Sequence, residues 1–141
     1  MEVSRKKKSE FDCVFRLGDD NNFFLNIELL RKLFSSDFFE AFVMYIETKI
    51  TESLKSFNDF NLHIDTNLIC TGDLLEYDKI LTFSKMLHKF TDKLKQIYIY
   101  NSSILITNLI YLLNASLNVD ITKKIIFSST IKKTEFDNKY T

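Results

Sequence analysis

Apolar residues recur at two different spacings along the chain, and the two spacings alternate. A recurrence at every third or fourth position, which is typical of a helix with one buried face, occurs in three segments: 39–57, 73–94 and 104–117. Short runs rich in β-branched and aromatic residues, which are typical of strands, occur at 62–65, 95–101 and 125–128. Strands that alternate with helices pair in parallel through crossover connections. The pattern therefore predicts an α/β fold with a mostly parallel β-sheet.

The chain is predicted to begin this sheet with a β-hairpin. Residues 11–17 alternate in the manner of a strand, residues 18–22 (Gly-Asp-Asp-Asn-Asn) form a dense turn signal, and residues 23–27 are suited to the returning strand. An antiparallel pair at the start makes the predicted sheet mixed. A short helix over 28–34 is expected to follow the hairpin.

Each long helix has one apolar face, which we interpret as core rather than as a ligand site. In the helix over 39–57, for which Ser35, Ser36 and Asp37 offer capping side chains, this face consists of Phe39, Phe42, Val43, Ile46, Ile50, Leu54 and Phe57. In the helix over 73–94 it consists of Ile80, Phe83, Met86, Leu87, Phe90 and Leu94. In the helix over 104–117 it is a broad arc of Leu105, Ile106, Leu109, Ile110, Leu112, Leu113 and Leu117.

The length of 141 residues matches one domain. We expect a single α/β domain over 10–131, a flexible basic tail over 1–9 and a polar tail over 132–141. The N-terminal basic run is followed by polar residues where a secretion signal has its apolar segment, so no signal peptide is expected. Residues 96–119 include no charged residue, but four asparagines interrupt them, and a strand followed by a helix explains them better than a transmembrane helix.

Composition excludes several classes of function. Nineteen basic and nineteen acidic residues cancel, so the chain lacks the positive field that favours nucleic-acid binding. With two glycines it has no phosphate-binding loop or nucleophile elbow. His63 and His88 are too few and too far apart to indicate a zinc site. Cys13 and Cys70 are expected to be reduced, buried thiols. We therefore predict a cytoplasmic protein that is not an enzyme and needs no metal or cofactor.

Two polar residues follow predicted core strands directly. Asp65 ends one strand and Asn101 follows the next. Because the carboxyl ends of parallel strands meet at one edge of a sheet, we expect the two side chains to lie close together there, each capping the turn into the following helix. This edge is also where α/β folds bind ligands. A structural role in the turn is favoured over direct ligand contact.

The second half of the chain resembles a known family. It is similar to the CRAL-TRIO, or Sec14-like, lipid-binding domain in the order of five pieces. These are His63-Ile64-Asp65-Thr66 at a strand end, an amphipathic helix, the strand 94–101 with its final Asn, an apolar helix, and Thr122-Lys123-Lys124-Ile125. Ser102 and Ser103 replace the proline that usually follows the Asn. Neither the N-terminal helical subdomain nor a full C-terminal gate is expected, so the resemblance is to a reduced form of the domain.

The resemblance implies a lipid or a membrane-surface ligand, with the helix over 104–117 covering an apolar pocket over the sheet. The residues expected to contact that ligand are Asp65, Asn101, Leu105, Leu109 and Leu112. Two alternatives remain open. In the first, the reduced domain serves as a protein-interaction adaptor or a homodimerisation module. In the second, the chain is a STAS-like regulatory domain, in which Thr71 stands near the position of the phosphorylated hydroxyl.

Overall fold

The computed structural model describes residues 5–34, 37–66, 77–101, 103–116, 121 and 123–128. The elements in these ranges are α1 (Arg5–Val14), β1 (Phe15–Leu17), β2 (Asn22–Leu25), α2 (Ile27–Phe34), α3 (Phe39–Ser53), β3 (Phe60–Asp65), α4 (Tyr77–His88), β4 (Leu94–Tyr100), α5 (Ile104–Ser116) and β5 (Ile125–Ser128). None of these helices combines the length and the apolar composition that crossing a bilayer requires.

The five strands form one sheet in the order β1-β2-β3-β4-β5. Strand β1 is antiparallel to β2, and each later neighbour pairs in parallel. This confirms the predicted mixed, mostly parallel α/β architecture. Strands β2 to β5 therefore lie in the sheet in the same order as along the chain. With right-handed crossover connections, this order places the connecting helices on the same face of the sheet.

The predicted hairpin is present, with shorter strands than expected. Its turn contains Asp20 and Asn21, which both have positive φ angles, 56° and 57°. Consecutive left-handed residues suit a tight hairpin, and Asp and Asn adopt this conformation at lower cost than most residues. Asn21 is buried, and its Nδ2 donates to the carbonyl oxygen of Asp59 over 2.9 Å. The hairpin is thereby joined to the residue just before β3.

The chain before the hairpin differs from the prediction. Residues 5–9 were expected in a flexible tail and residues 11–14 in a strand, but all of them lie in helix α1. Phe11 and Val14 are buried, whereas Cys13, predicted to be a buried thiol, is exposed. Phe11 and Val14 are three residues apart, so a helix places both on one face against the core, which alternation along a strand does not. Cys70 lies outside the described residues.

Helices α2 and α3 begin in different ways. Asn26 caps α2, because its Oδ1 accepts a hydrogen bond from the Leu29 backbone N–H over 3.1 Å. Phe38 precedes α3 and gives no side-chain cap; Ser35 and Ser36 lie outside the described residues. The helix ends at Ser53, four residues before the predicted end, so Phe57 lies outside it and is 44% exposed.

Helices α4 and α5 each depart from the prediction at one point. The segment assigned to α4 was expected to continue to Leu94, but the helix ends at His88 and Leu94 is the first residue of β4. The segment 73–76, predicted to open this helix, lies outside the described residues. Among the described side chains of α5, Ile106 and Leu109 are buried, and Leu112, predicted on the same apolar arc, is 54% exposed.

The core lies on one side of the sheet. The strand residues that contribute to it are Phe15, Phe23, Leu25, Phe60, Leu62, Leu94, Ile97 and Ile99. The five helices of the described ranges place side chains against this face, including Phe11 of α1, Phe42 of α3 and Ile106 of α5. Alternate residues of each strand therefore face a packed helical layer, and the residues between them face the other way.

Candidate functional site

The face of the sheet opposite the helices carries a different set of side chains. By strand alternation and register it consists of Arg16, Asn22, Phe24, Asn61, His63, Asp65, Gln96, Tyr98, Tyr100, Ile126 and Ser128. We call this surface the ring face. None of its residues belongs to the core on which the described helices pack. Most are half-buried, as expected where side chains of neighbouring strands shield one another.

A continuous row of stacked groups crosses the ring face. The guanidinium of Arg16 lies over the Phe24 ring, 4.5 Å from its centroid. Phe24 stacks on His63 with ring centroids 4.6 Å apart, and His63 stacks on Tyr98 at 4.8 Å. These residues are directly opposite one another on four adjacent strands. Cross-strand aromatic pairs stabilise a sheet, and here they form a flat platform.

His63 is the centre of this row and has both ring nitrogens engaged. Its Nδ1 lies 2.8 Å from the hydroxyl of Tyr100, and its Nε2 lies 2.9 Å from Oδ1 of Asn22. Asn22 donates its Nδ2 to the Asp19 carbonyl, which fixes its oxygen toward the histidine. An amide oxygen only accepts, so Nε2 carries the proton and Nδ1 accepts from the tyrosine hydroxyl. The contacts thus suit a neutral imidazole, and burial lowers the pKa of His63 to about 4.

Two amide groups lie in the next row of the ring face. Asn61 and Gln96 are opposite each other on β3 and β4. Their side-chain oxygens, Oδ1 and Oε1, are buried and have no hydrogen-bond partner within the described residues. A buried acceptor without a partner is costly, which makes this row suited to a ligand that donates hydrogen bonds, such as one with hydroxyl groups.

The predicted pair at the carboxyl edge of the sheet is present. Asn101 donates its Nδ2 to Oδ1 of Asp65 over 2.9 Å. Asn101 has a φ of 58°, a left-handed conformation that asparagine tolerates. The buried Thr66 completes the edge, because its hydroxyl donates to the Tyr100 carbonyl over 2.9 Å. The proximity of Asp65 and Asn101 is confirmed, and the hydrogen bond between them supports a role in the turn.

Asp65→Ala is expected to lower the free energy of unfolding by about 1 kcal/mol or more, because it removes the acceptor of this hydrogen bond. Asn101→Gly removes the same bond but keeps the positive φ, whereas Asn101→Ala adds backbone strain and should cost more. Urea unfolding curves measure all three. Ligand binding per folded molecule should change little, and an unchanged midpoint in Asp65→Ala would show that the pair does not stabilise the turn.

The apolar residues predicted to contact a ligand do not join this edge. On α5, Leu109 is buried and Leu112 is exposed. This helix packs on the side of the sheet opposite the ring face, because it places Ile106 in the core there. The side chain of Leu105 lies outside the described residues, as does Thr71. The structure therefore brings together Asp65 and Asn101 but does not place Leu109 and Leu112 beside them. A ligand contact of these leucines stays a proposal.

Sequence reasoning missed His63 as a central residue. The signal available was the alternation of Asn61, His63 and Asp65 with the apolar residues of β3. That pattern shows that the polar side chains share one face, but not that rings from β2 and β4 stack on the imidazole. Within the described residues, no group of three His, Cys, Asp or Glu side chains is placed to hold a metal ion.

Comparison with known proteins gives one structural relationship. No protein-family model matches the chain, and no curated protein matches it. The crystal structure of Sfh5, a Sec14-family protein, is similar, with a TM-score of 0.57 over 87% of this chain at 14% identity. The chain has a Sec14-like fold. It spans 54% of the length of Sfh5, so the Sec14-like part described here corresponds to about half of that protein.

Proposed function

We propose that the chain is a non-enzymatic module that binds a lipid through the ring face of its Sec14-like sheet. The observation that carries the proposal is the one-sided packing of the sheet, which leaves a platform of stacked rings opposite the helices. Flat apolar rings beside buried amide oxygens suit a ligand with a hydrocarbon part and a hydroxyl-bearing head group. Lipid binding is also what the CRAL-TRIO resemblance of the sequence implies.

The two rows of the ring face have separate parts in this proposal. The hydrocarbon part of the lipid lies along Phe24, Tyr98 and Ile126, of which Ile126 is 40% exposed. The head group is placed over Asn61 and Gln96, and rotation of either amide side chain turns its oxygen, buried in the free protein, toward the head group to accept a hydrogen bond. His63 orients the platform through its neighbours rather than acting on the ligand. No proton transfer or bond cleavage is part of this function.

Native mass spectrometry of the protein purified from cells, followed by organic extraction, tests the proposal. The expected result is a lipid mass on the wild-type protein. Tyr98→Glu and Ile126→Glu each introduce a carboxylate where the hydrocarbon is placed, so the bound fraction should fall about tenfold or more. Tyr98→Phe keeps the ring and should keep the lipid.

The matched control is Met44→Glu, which introduces the same charge on α3. Met44 is 66% exposed and lies in the helical layer, on the other side of the sheet from the ring face. It should leave the bound fraction unchanged. Thermal midpoints show which variants are folded, and Ile126→Glu is the safer variant because its site is exposed. A lipid-free wild-type mass together with no binding to phosphatidylcholine–phosphatidylinositol vesicles would contradict the proposal.

A second candidate function is association with a protein partner or with a second copy. It is favoured by three apolar side chains on the surface of α5: Ile104 is 79%, Tyr111 72% and Leu112 54% exposed. Ile104 and Tyr111 are seven positions apart, so they share one side of the helix, and Leu112 borders that side, about 100° of rotation from Tyr111. Large exposed apolar patches commonly mark contact surfaces.

A further inference from the structure

A groove of about 820 Å³ runs between α1 and α3, in the helical layer on the other side of the sheet from the ring face. The two helices run side by side in the same direction. Lys7 lies over the Phe38 ring near the start of both helices, and Phe11 packs edge-on against Phe42 at their centre, with ring centroids 5.2 Å apart. The groove therefore follows the length of α3.

A lysine holds the two walls of this groove in place. The ammonium of Lys49 donates to Oδ1 of Asp12 over 2.7 Å, to the Phe15 carbonyl over 2.9 Å and to the Tyr45 hydroxyl over 3.2 Å. These contacts join α3 to the end of α1 and to the first strand. A surface held in this way is preorganised, so a partner does not have to order it on binding.

The groove has an apolar floor. Phe11 and Ala41 are buried at its base beside the half-buried ring of Tyr45, and Met44 is 66% exposed. Methionine adapts its shape to different apolar partners. The floor therefore suits one or two large apolar side chains of an inserted segment.

The sides of the groove carry an excess of negative charge. Asp37, Glu40 and Glu52 are exposed and make no ion pair or hydrogen bond through their carboxylates within the described residues. The positive charge of Lys49 is offset by Asp12, which leaves Lys8 as the ammonium facing three carboxylates. The lining is thus net acidic, and it disfavours an anionic membrane surface.

We infer that this groove docks an amphipathic, basic helix of a protein partner. An apolar stripe on the partner helix fills the floor around Met44, and lysines or arginines of the partner helix face Glu40 and Glu52. These two glutamates are twelve residues apart on α3, which is more than three turns. Charge complementarity along the groove sets the orientation and raises the association rate. The site is separate from the ring face, so lipid and partner bind independently.

Fluorescence anisotropy tests the inference with a fluorescein-labelled helical peptide of leucine and lysine at amphipathic spacing. The full chain should bind it saturably, and the affinity should fall as salt rises. Glu40→Lys reverses a charge at the groove, and Met44→Glu makes the floor polar. Each is expected to weaken binding about tenfold or more. Tyr98→Glu should leave peptide binding unchanged, which separates this result from a failure of the lipid proposal.

The control is Asp92→Lys, which makes the same charge reversal at an exposed position in the turn before β4, away from the groove. It should bind the peptide as the wild type does. Equal weakening by Asp92→Lys and Glu40→Lys would overturn the inference, since it would show attraction to net charge alone. Absence of saturable binding would overturn it too. Self-association of the wild type that Glu40→Lys abolishes would show that a second copy occupies the groove.

Discussion

Phe23→Ala is expected to lower the free energy of unfolding by about 3–5 kcal/mol, the range observed when a buried phenylalanine is truncated. Phe23 has no exposed surface, stacks on Phe15 with centroids 4.8 Å apart and meets Phe60 edge-on at 5.9 Å. Phe60 in turn meets Phe90 edge-on at 6.1 Å. Removing Phe23 therefore opens a cavity in a chain of rings that joins β1, β2, β3 and the turn before β4.

This loss is a large fraction of the total stability of a domain of this size, about 5–15 kcal/mol. Urea unfolding followed by circular dichroism measures it as a lower midpoint. The matched control is Phe57→Ala, which removes the same ring from a position that is 44% exposed after α3. It should change the free energy of unfolding by about 0.5 kcal/mol or less. Equal effects of the two variants would show that the rings around Phe23 are not the centre of the core.

The protein is expected to lose stability between pH 7 and pH 5 because of His63. Burial lowers the pKa of His63 from 6.5 to about 4, so the folded protein favours the neutral ring. In the unfolded chain the ring takes up a proton as pH falls below 6.5. The unfolded state then binds more protons than the folded state, and the free energy of unfolding falls as pH decreases from 6.5 toward 4. Above pH 6.5 this contribution is complete.

The expected decrease from pH 7 to pH 5 is about 1 kcal/mol, since the ring is only partly buried and solvent reduces the full effect. His63→Phe keeps a ring in the stacked row and removes the titrating group. It costs stability at pH 7, because Tyr100 and Asn22 lose a hydrogen-bond partner, but its pH dependence in this window should be smaller. A wild-type slope in His63→Phe would contradict this prediction.

The two proposed surfaces are compatible because they lie on opposite sides of one sheet. The ring face is built by alternate residues of all five strands of the sheet, and the groove is built by helices that pack on the other side. A lipid on the first surface and a basic helix on the second do not compete for space. Tyr98→Glu and Met44→Glu therefore form a pair of variants in which each should remove one function and keep the other.

Several features of the protein followed from the sequence alone. Helical and strand spacings in the second half predicted β4, α5 and β5 nearly to the residue, because each run has one clear period and a break at each end. The closeness of Asp65 and Asn101 followed as well. Parallel strands end on the same edge of a sheet, so their order along the chain is enough to bring these residues together.

Tertiary structure decided the features that depend on which neighbour covers a surface. Residues 11–14 are compatible with a strand or a helix, and the helix forms because it buries Phe11 against Phe42 and Tyr45 of α3, some thirty residues away in the sequence. In β3 the alternation of Leu62 with His63 defines two faces but does not say which one the helices cover. Strand pairing places His63 between Phe24 and Tyr98, and crossover connections that run along one side of the sheet place the helices on the opposite face.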